Sequence, residues 1–264
     1  GKQPGYRSPF PVDMGLKTAT NGNQRQISTR LLQGTELLTE SNAAETSSSS
    51  KQFDYMNGTD TSTATSAVNM MWMFKRAPKF MDVVAYTGDG ASLNHNLGVV
   101  PNMIIVKNRG TGSWRVSNSE TNGLLYIDAT DASNGTSSFQ TLTPCTSSTM
   151  NLSGVSQSGN NIAYLFATLA GISKVGSVVH SGTTNVDCGF SAGARFVLVK
   201  RTDSTSGWYV WDSVRGIVAG NDPYFFLNDT AAQVTNTDYI DPLASGFTLT
   251  SSFTAGTYIF LAIA

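Results

Sequence analysis

Few residues of this chain have chemistry to offer. Asp222, Asp229, Asp238 and Asp241 cluster near its C-terminal end, and Asp128 and Asp131 lie near its middle. Paired carboxylates are what a glycosidase uses, one as acid and the other as base or nucleophile. Each of these aspartates, however, stands beside Gly, Pro, Asn, Thr or Ser, where Asp closes turns through its own backbone. Turn formation is therefore the first reading, a Ca²⁺ site the second and catalysis the last. His95 and His180 have no companion Ser, Cys or Asp that reads as a triad, and no G-x-S-x-G elbow occurs. They read as turn or strand-end histidines. Cys145 and Cys188 fit no metal-ligand spacing and are too few for a disulfide framework, which leaves two buried, reduced thiols. H-E-x-x-H and C-x-x-C motifs are absent, and Gly88-Asp89-Gly90 and Gly110-Thr111-Gly112 are too short for phosphate loops, so they count as hairpin turns. The expectation is a chain without catalytic residues, metal or cofactor.

The elements around these residues say more. Of 264 residues 40% are hydrophobic, enough to bury a core, but only 13% are charged, about half the usual share. The net charge of −1 is spread along the chain, which argues against nucleic acid and an anionic membrane as partners. No apolar run reaches the length of a membrane span. Short apolar runs rich in Val, Ile, Phe and Tyr alternate with Gly, Asn, Asp and Ser clusters, the pattern of a β-sandwich or barrel.

One internal register organises the last two thirds of the chain. Ile104-Ile105-Val106-Lys107 matches Val197-Leu198-Val199-Lys200, Trp114 matches Trp208, and Leu124 to Asp128 matches Tyr224 to Asn228. Tyr164-Leu165-Phe166-Ala167 is aligned with Tyr258-Ile259-Phe260-Leu261. The predicted fold is all-β: tandem β-sandwich domains, jelly-roll or lectin-like, over residues 81–171 and 172–264, with a diverged copy over 1–80. In that copy Val12 to Lys17 stands where the strands ending in Lys107 and Lys200 stand, Leu37 to Ala44 parallels Phe225 to Ala232, and Met71 to Phe74 is the closing strand. Nothing before Val12 corresponds to Val83–Tyr86 or Val175–Val179. The first copy should lack its first strand, which residues preceding Gly1 in a longer polypeptide or a neighbouring chain would supply.

Trp114, Trp208, Tyr164 and Tyr258 are expected in the structural core. Alternation along Trp208-Tyr209-Val210-Trp211 puts Tyr209 and Trp211 on the other face. Their counterparts Arg115 and Ser117 make that face wet in the preceding copy. With Tyr224, these aromatics are the candidate ligand or interface residues, either covering a contact with another domain or subunit or forming a sugar-stacking platform.

The segments Ala85 to Gly90, Leu97 to Lys107, Ser113 to Val116, Gly207 to Gly216 and Gly246 to Leu249 together resemble a repeat domain of tail-fibre, tailspike and other virion proteins of marine bacteriophages, especially cyanophages. The resemblance covers residues 81–264 well and the first 80 weakly. It implies a place on the outer surface of a virion, tandem β-sandwich units and no enzyme activity. Its implied partners are other virion proteins, copies of the chain itself or a host surface glycan.

Overall fold

The structure, a computed structural model, describes residues 3–60, 68–121, 123–134, 145–153 and 157–264; Gly1 lies outside them. It is built from antiparallel strands, with a single 3-10 turn at Arg30–Leu32 as the only helix among the described residues. The first 80 residues contribute β1 (Tyr6–Arg7), β2 (Met14–Ala19), β3 (Gln26–Thr29), β4 (Thr35–Leu38), β5 (Thr46–Ser47), β6 (Gly58–Thr59) and β7 (Asn69–Phe74). The middle third contributes β8 (Met81–Thr87), β9 (Leu93–Asn94), β10 (Met103–Asn108), β11 (Arg115–Asn118), β12 (Leu125–Tyr126), β13 (Thr149–Met150) and β14 (Asn160–Phe166). The last contributes β15 (Ser173–His180), β16 (Thr184–Asp187), β17 (Phe196–Arg201), β18 (Trp208–Asp212), β19 (Phe225–Phe226), β20 (Ile240–Leu243), β21 (Gly246–Leu249) and β22 (Gly256–Ile263).

Three five-stranded sheets dominate. The second runs β8-β14-β10-β11-β12 and the third β15-β22-β17-β18-β19. The first runs β7-β2-β3-β4-β5. In the second and third sheets the first strand of the segment forms the edge beside the last. In the first sheet the closing strand β7 is itself the edge, because β1 pairs with β6 in a separate ribbon.

The three segments are not separate bodies. A single apolar core takes Leu16, Ile27, Leu37 and Trp72 from the first sheet, Ile105, Val116, Leu125 and Tyr164 from the second, and Leu198, Val210, Phe225 and Leu261 from the third. Each sheet turns one face to this shared axis. The opposite face of the third sheet is covered by the small sheet β16-β21-β20, enclosing a second core. The opposite face of the second sheet carries a smaller core with Met150 and Leu152 beside the β9-β13 pair.

Strand pairing corrects two of the sequence matches. Tyr164 pairs with Ile105 and Leu261 with Leu198, so Tyr164 corresponds to Leu261 rather than to Tyr258. The three-residue difference is odd, and an odd slip moves a residue to the opposite face. Tyr164 accordingly lies in the axial core and Tyr258 in the outer one, both buried. In the first sheet the register carried by Leu16 opposite Ile27 sets Thr18 opposite Arg25, as Lys200 is set opposite Trp208. Thr18, not Lys17, therefore holds the place of Lys107 and Lys200, and Arg25 holds the place of Trp114 and Trp208. Lys17 points to the outer face.

Candidate functional site

The sheets are joined by one polar clasp repeated around the axis. Trp114 Nε1 donates to the Leu38 carbonyl at 2.7 Å, and Trp208 Nε1 to the Tyr126 carbonyl at 2.7 Å. Leu38, Tyr126 and Phe226 hold matching places, paired with Gln26, Arg115 and Tyr209. The third contact closes the ring: Arg25 Nε donates to the Phe226 carbonyl at 3.2 Å. Each lysine adds to its clasp. Lys107 Nζ reaches the Ala43 carbonyl at 3.0 Å and Lys200 Nζ the Thr130 carbonyl at 2.9 Å. In the first sheet Arg25 does this too, with Nη2 donating to the Ala231 carbonyl at 2.5 Å and Nη1 to Thr18 Oγ1 at 2.9 Å. Arg25 thus covers both donors of the Trp and Lys pair, and its guanidinium stacks 4.8 Å from the centre of the Phe225 ring.

Backbone bonds repeat the same cycle. Glu45 N–H donates to Arg109, Ser133 to Thr202 and Gln233 to Thr20, at 2.8, 2.9 and 2.9 Å. Within each sheet a side chain holds the clasp residue's own N–H: Asp128 for Trp114, Asn228 for Trp208 and Glu40 for Arg25. Buried donors and acceptors are thereby matched, as burial demands. Burial drives the ammonium groups of Lys107 and Lys200 down to about 8. It also lowers the Arg25 guanidinium.

The aromatic trio singled out from sequence does come together, but it is not open. Tyr209 and Trp211 stack at 5.1 Å, and Tyr224 lies 5.0 Å from Tyr209. Trp211 is 0% exposed and Tyr224 is buried. Phe253 packs edge-on to Tyr209 and Trp211, while Tyr239 stacks on Tyr224. Burial pushes the Tyr224 phenol up to about 12. The face read as wet is covered in both sheets, with Ser117 buried too. Trp211 and Tyr224 are core, covered by the chain's own outer strands and loops, and Tyr209 is half-buried against them.

Four of the remaining candidates, Asp222, Asp229, His95 and His180, make hydrogen bonds that serve the fold. Asp222 accepts from the N–H groups of Val218, Tyr239 and Ile240, which makes it a loop organiser, and burial raises its carboxyl. Asp229 receives the N–H of Ala231 in a turn. His95 Nδ1 accepts from Leu97, and the His180 ring bonds Thr184 and the Phe253 carbonyl. Cys145 and Cys188 are free.

Two features escape letter-by-letter reading. On the outer face of the first sheet, Lys51 Nζ lies 3.2 Å from Asp60 Oδ2, 3.3 Å from Glu36 Oε2 and 3.0 Å from Gln26 Oε1. Lys17 adds a second cation 3.6 Å from Asp60, so two ammonium groups balance two carboxylates. Burial chiefly lowers Lys17 and raises the neighbouring Tyr6 phenol to about 12.

The other feature is a groove of about 670 Å³ along β7, walled by Met70, Trp72, Phe74, Phe196, Val214 and Ile263. Trp72 Nε1 is held by Asp212 at 3.0 Å, and Arg215 neutralises that carboxylate at 2.6 Å. Val214 at the mouth is 86% exposed. The groove runs along β7, the edge of the first sheet, where an absent strand is expected from the sequence.

No curated protein and no solved structure matches the chain. A family model matches residues 77–264, the span of the second and third sheets, and on that match the chain belongs to the family DUF7483, a domain of unknown function.

Proposed function

We propose that this chain is a virion structural protein of a bacteriophage, a tail-fibre or spike component on the particle's outer surface that spaces or presents a host-contacting surface. On this reading the three sheets are copies of one β unit, and the molecule works as a rigid spacer rather than as an enzyme. The observation that carries the reading is the repeated clasp, which locks three sheets onto one axial core and closes from the first sheet to the third. A ring of this kind resists shear because no sheet can tilt without breaking part-buried hydrogen bonds at two junctions. The sparse charge and the resemblance to phage repeat domains support the same assignment. Its partners are other virion proteins or copies of itself.

The test is electron microscopy of intact particles labelled with antibody to this chain. Labelled density on a tail or capsid appendage is expected. Particles that carry the chain nowhere on their surface would overturn the proposal.

A further inference from the structure

The groove along β7 lies where the first sheet has no first strand. The register of β7 on β2 pairs Met70, Trp72 and Phe74 with Thr18, Leu16 and Met14, and Thr20 N–H bonds the Val68 carbonyl at 2.8 Å. In an antiparallel pair the backbone groups of alternate residues point to opposite sides. The even-numbered residues of β7 therefore bond β2, and the N–H and C=O groups of Met71 and Met73 face the outer edge. No strand among the described residues pairs there.

The other two sheets show what fills this position. In them β8 and β15 run antiparallel to the closing strand. Val83 sits opposite Tyr164 and Val175 opposite Leu261, the places that Trp72 holds in the first sheet. Ala85 and Ser177 lie opposite Ile162 and Ile259, matching Met70. Gly176 lies flat on Phe260, so close that a Cβ would come within 2.6 Å of the ring. An occupant of the groove is thereby specified: an extended segment antiparallel to β7, apolar opposite Trp72 and small opposite Met70.

Charge adds a further specification. Arg7, Lys75 and Arg195 are exposed on the groove wall, while the one side-chain carboxylate among its lining residues, Asp212, is already matched by Arg215. The vacancy is thus apolar within and cationic at its rim. A second copy of this chain is the poorer donor, since its strands of this character, β8 and β15, are held in their own sheets.

We infer that the groove is a strand-acceptor site, which takes an extended segment of a different polypeptide, apolar at alternate positions and bearing a carboxylate, as a sixth strand beside β7. The strand supplies main-chain hydrogen bonds to Met71 and Met73 and seats its apolar side chains on Trp72 and Phe196, the mode known as β-augmentation. The inference stands apart from the assignment to a virion, since it concerns only what completes the first sheet.

The test uses the whole chain and a synthetic peptide with the sequence Met81 to Thr87, whose pattern fits the specification. Saturable binding in fluorescence anisotropy, with slowed hydrogen exchange at the Met71 and Met73 amides, is expected. Met71→Pro removes one edge donor and leaves the β2 pairing intact, and it should weaken binding by about tenfold, a difference of about 1.4 kcal/mol. Arg195→Glu, an exposed change that cannot unfold the core, should weaken the acidic peptide and make its binding less salt-dependent. Absent binding, or binding that neither variant alters, would overturn the inference. So would protection of both amides in the native full-length polypeptide with no second chain present.

Discussion

The axial and outer faces of the three sheets differ sharply in how far their chemistry varies. On the axial side, matching positions hold Leu16, Ile105 and Leu198, then Ile27, Val116 and Val210, then Leu37, Leu125 and Phe225. On the outer side they hold Lys17, Val106 and Val199, then Gln26, Arg115 and Tyr209, then Glu36, Leu124 and Tyr224. The first outer face is an ion cluster, the second mainly aliphatic with Arg115 among its side chains, and the third aromatic. Each axial residue must fit two other sheets at once, whereas each outer face meets only its own cover. The constraint therefore comes from the number of partners rather than from hydrophobicity as such.

The largest effect is expected on the axial side. Trp208→Ala should cost about 3–5 kcal/mol in chemical denaturation through its cavity, with the Tyr126 carbonyl left to the long Ala129 N–H contact at 3.4 Å in addition. A cost below about 1 kcal/mol, the size of an ordinary surface change, would break the comparison at its root. The outer ion cluster offers the opposite outcome. Replacing it wholesale, with Lys17→Met, Glu36→Leu, Lys51→Met and Asp60→Asn together, should be neutral or stabilise by about 1–4 kcal/mol. Asn suits the left-handed backbone of Asp60, whose φ is 64°. Asp60→Ala alone, which leaves Glu36 as the one carboxylate facing both Lys17 and the buried Lys51, should instead destabilise.

The clasps sharpen the comparison further. Arg25→Ala should cost about 1–3 kcal/mol through the lost charge-assisted hydrogen bonds of its buried guanidinium to the Phe226 and Ala231 carbonyls. Arg25→Trp combined with Thr18→Lys rebuilds the pair used elsewhere and should show a favourable coupling of about 0.5–3 kcal/mol relative to the two single changes. Strict additivity would mean that the first junction is a different device rather than the same one in other chemistry.

The smallest effect is one of pH. Lys107 and Lys200 titrate near 8 in the fold and near 10.5 when unfolded. Between those values the unfolded chain binds more protons, so the contribution of these two lysines to stability grows as pH rises from about 8 to 10.5 and is lost as pH falls through about 8. Denaturation midpoints compared with those of the Lys107→Met and Lys200→Met double variant should reveal that slope in the parent alone.

Much of this fold is legible in the sequence. The Trp and Lys landmarks and the turn clusters locate the strands of the second and third sheets. Similar letters misled where they sat on opposite faces. Tyr164 lies within and Tyr258 begins a continuous apolar run, and both faces of these sheets are buried, so hydrophobic pattern alone does not choose the register. The burial of Trp211 was hidden for the same reason, because its cover comes from strands some thirty residues further on. Arg25 was invisible because no alignment by residue type pairs Arg with Trp. The parallel between Glu40 and Asn228 was the available clue, since both hold the N–H of the clasp residue. Ring closure itself depends on carbonyl positions that no side-chain pattern encodes.

Hydrogen exchange of the Arg25→Ala variant tests most directly whether the three sheets form one closed unit. The account predicts faster exchange at Leu227 and Gln233, about 200 positions away in sequence, and a loss of protection spread through all three sheets. Faster exchange confined to residues 14–38, with the third sheet unchanged, would contradict it.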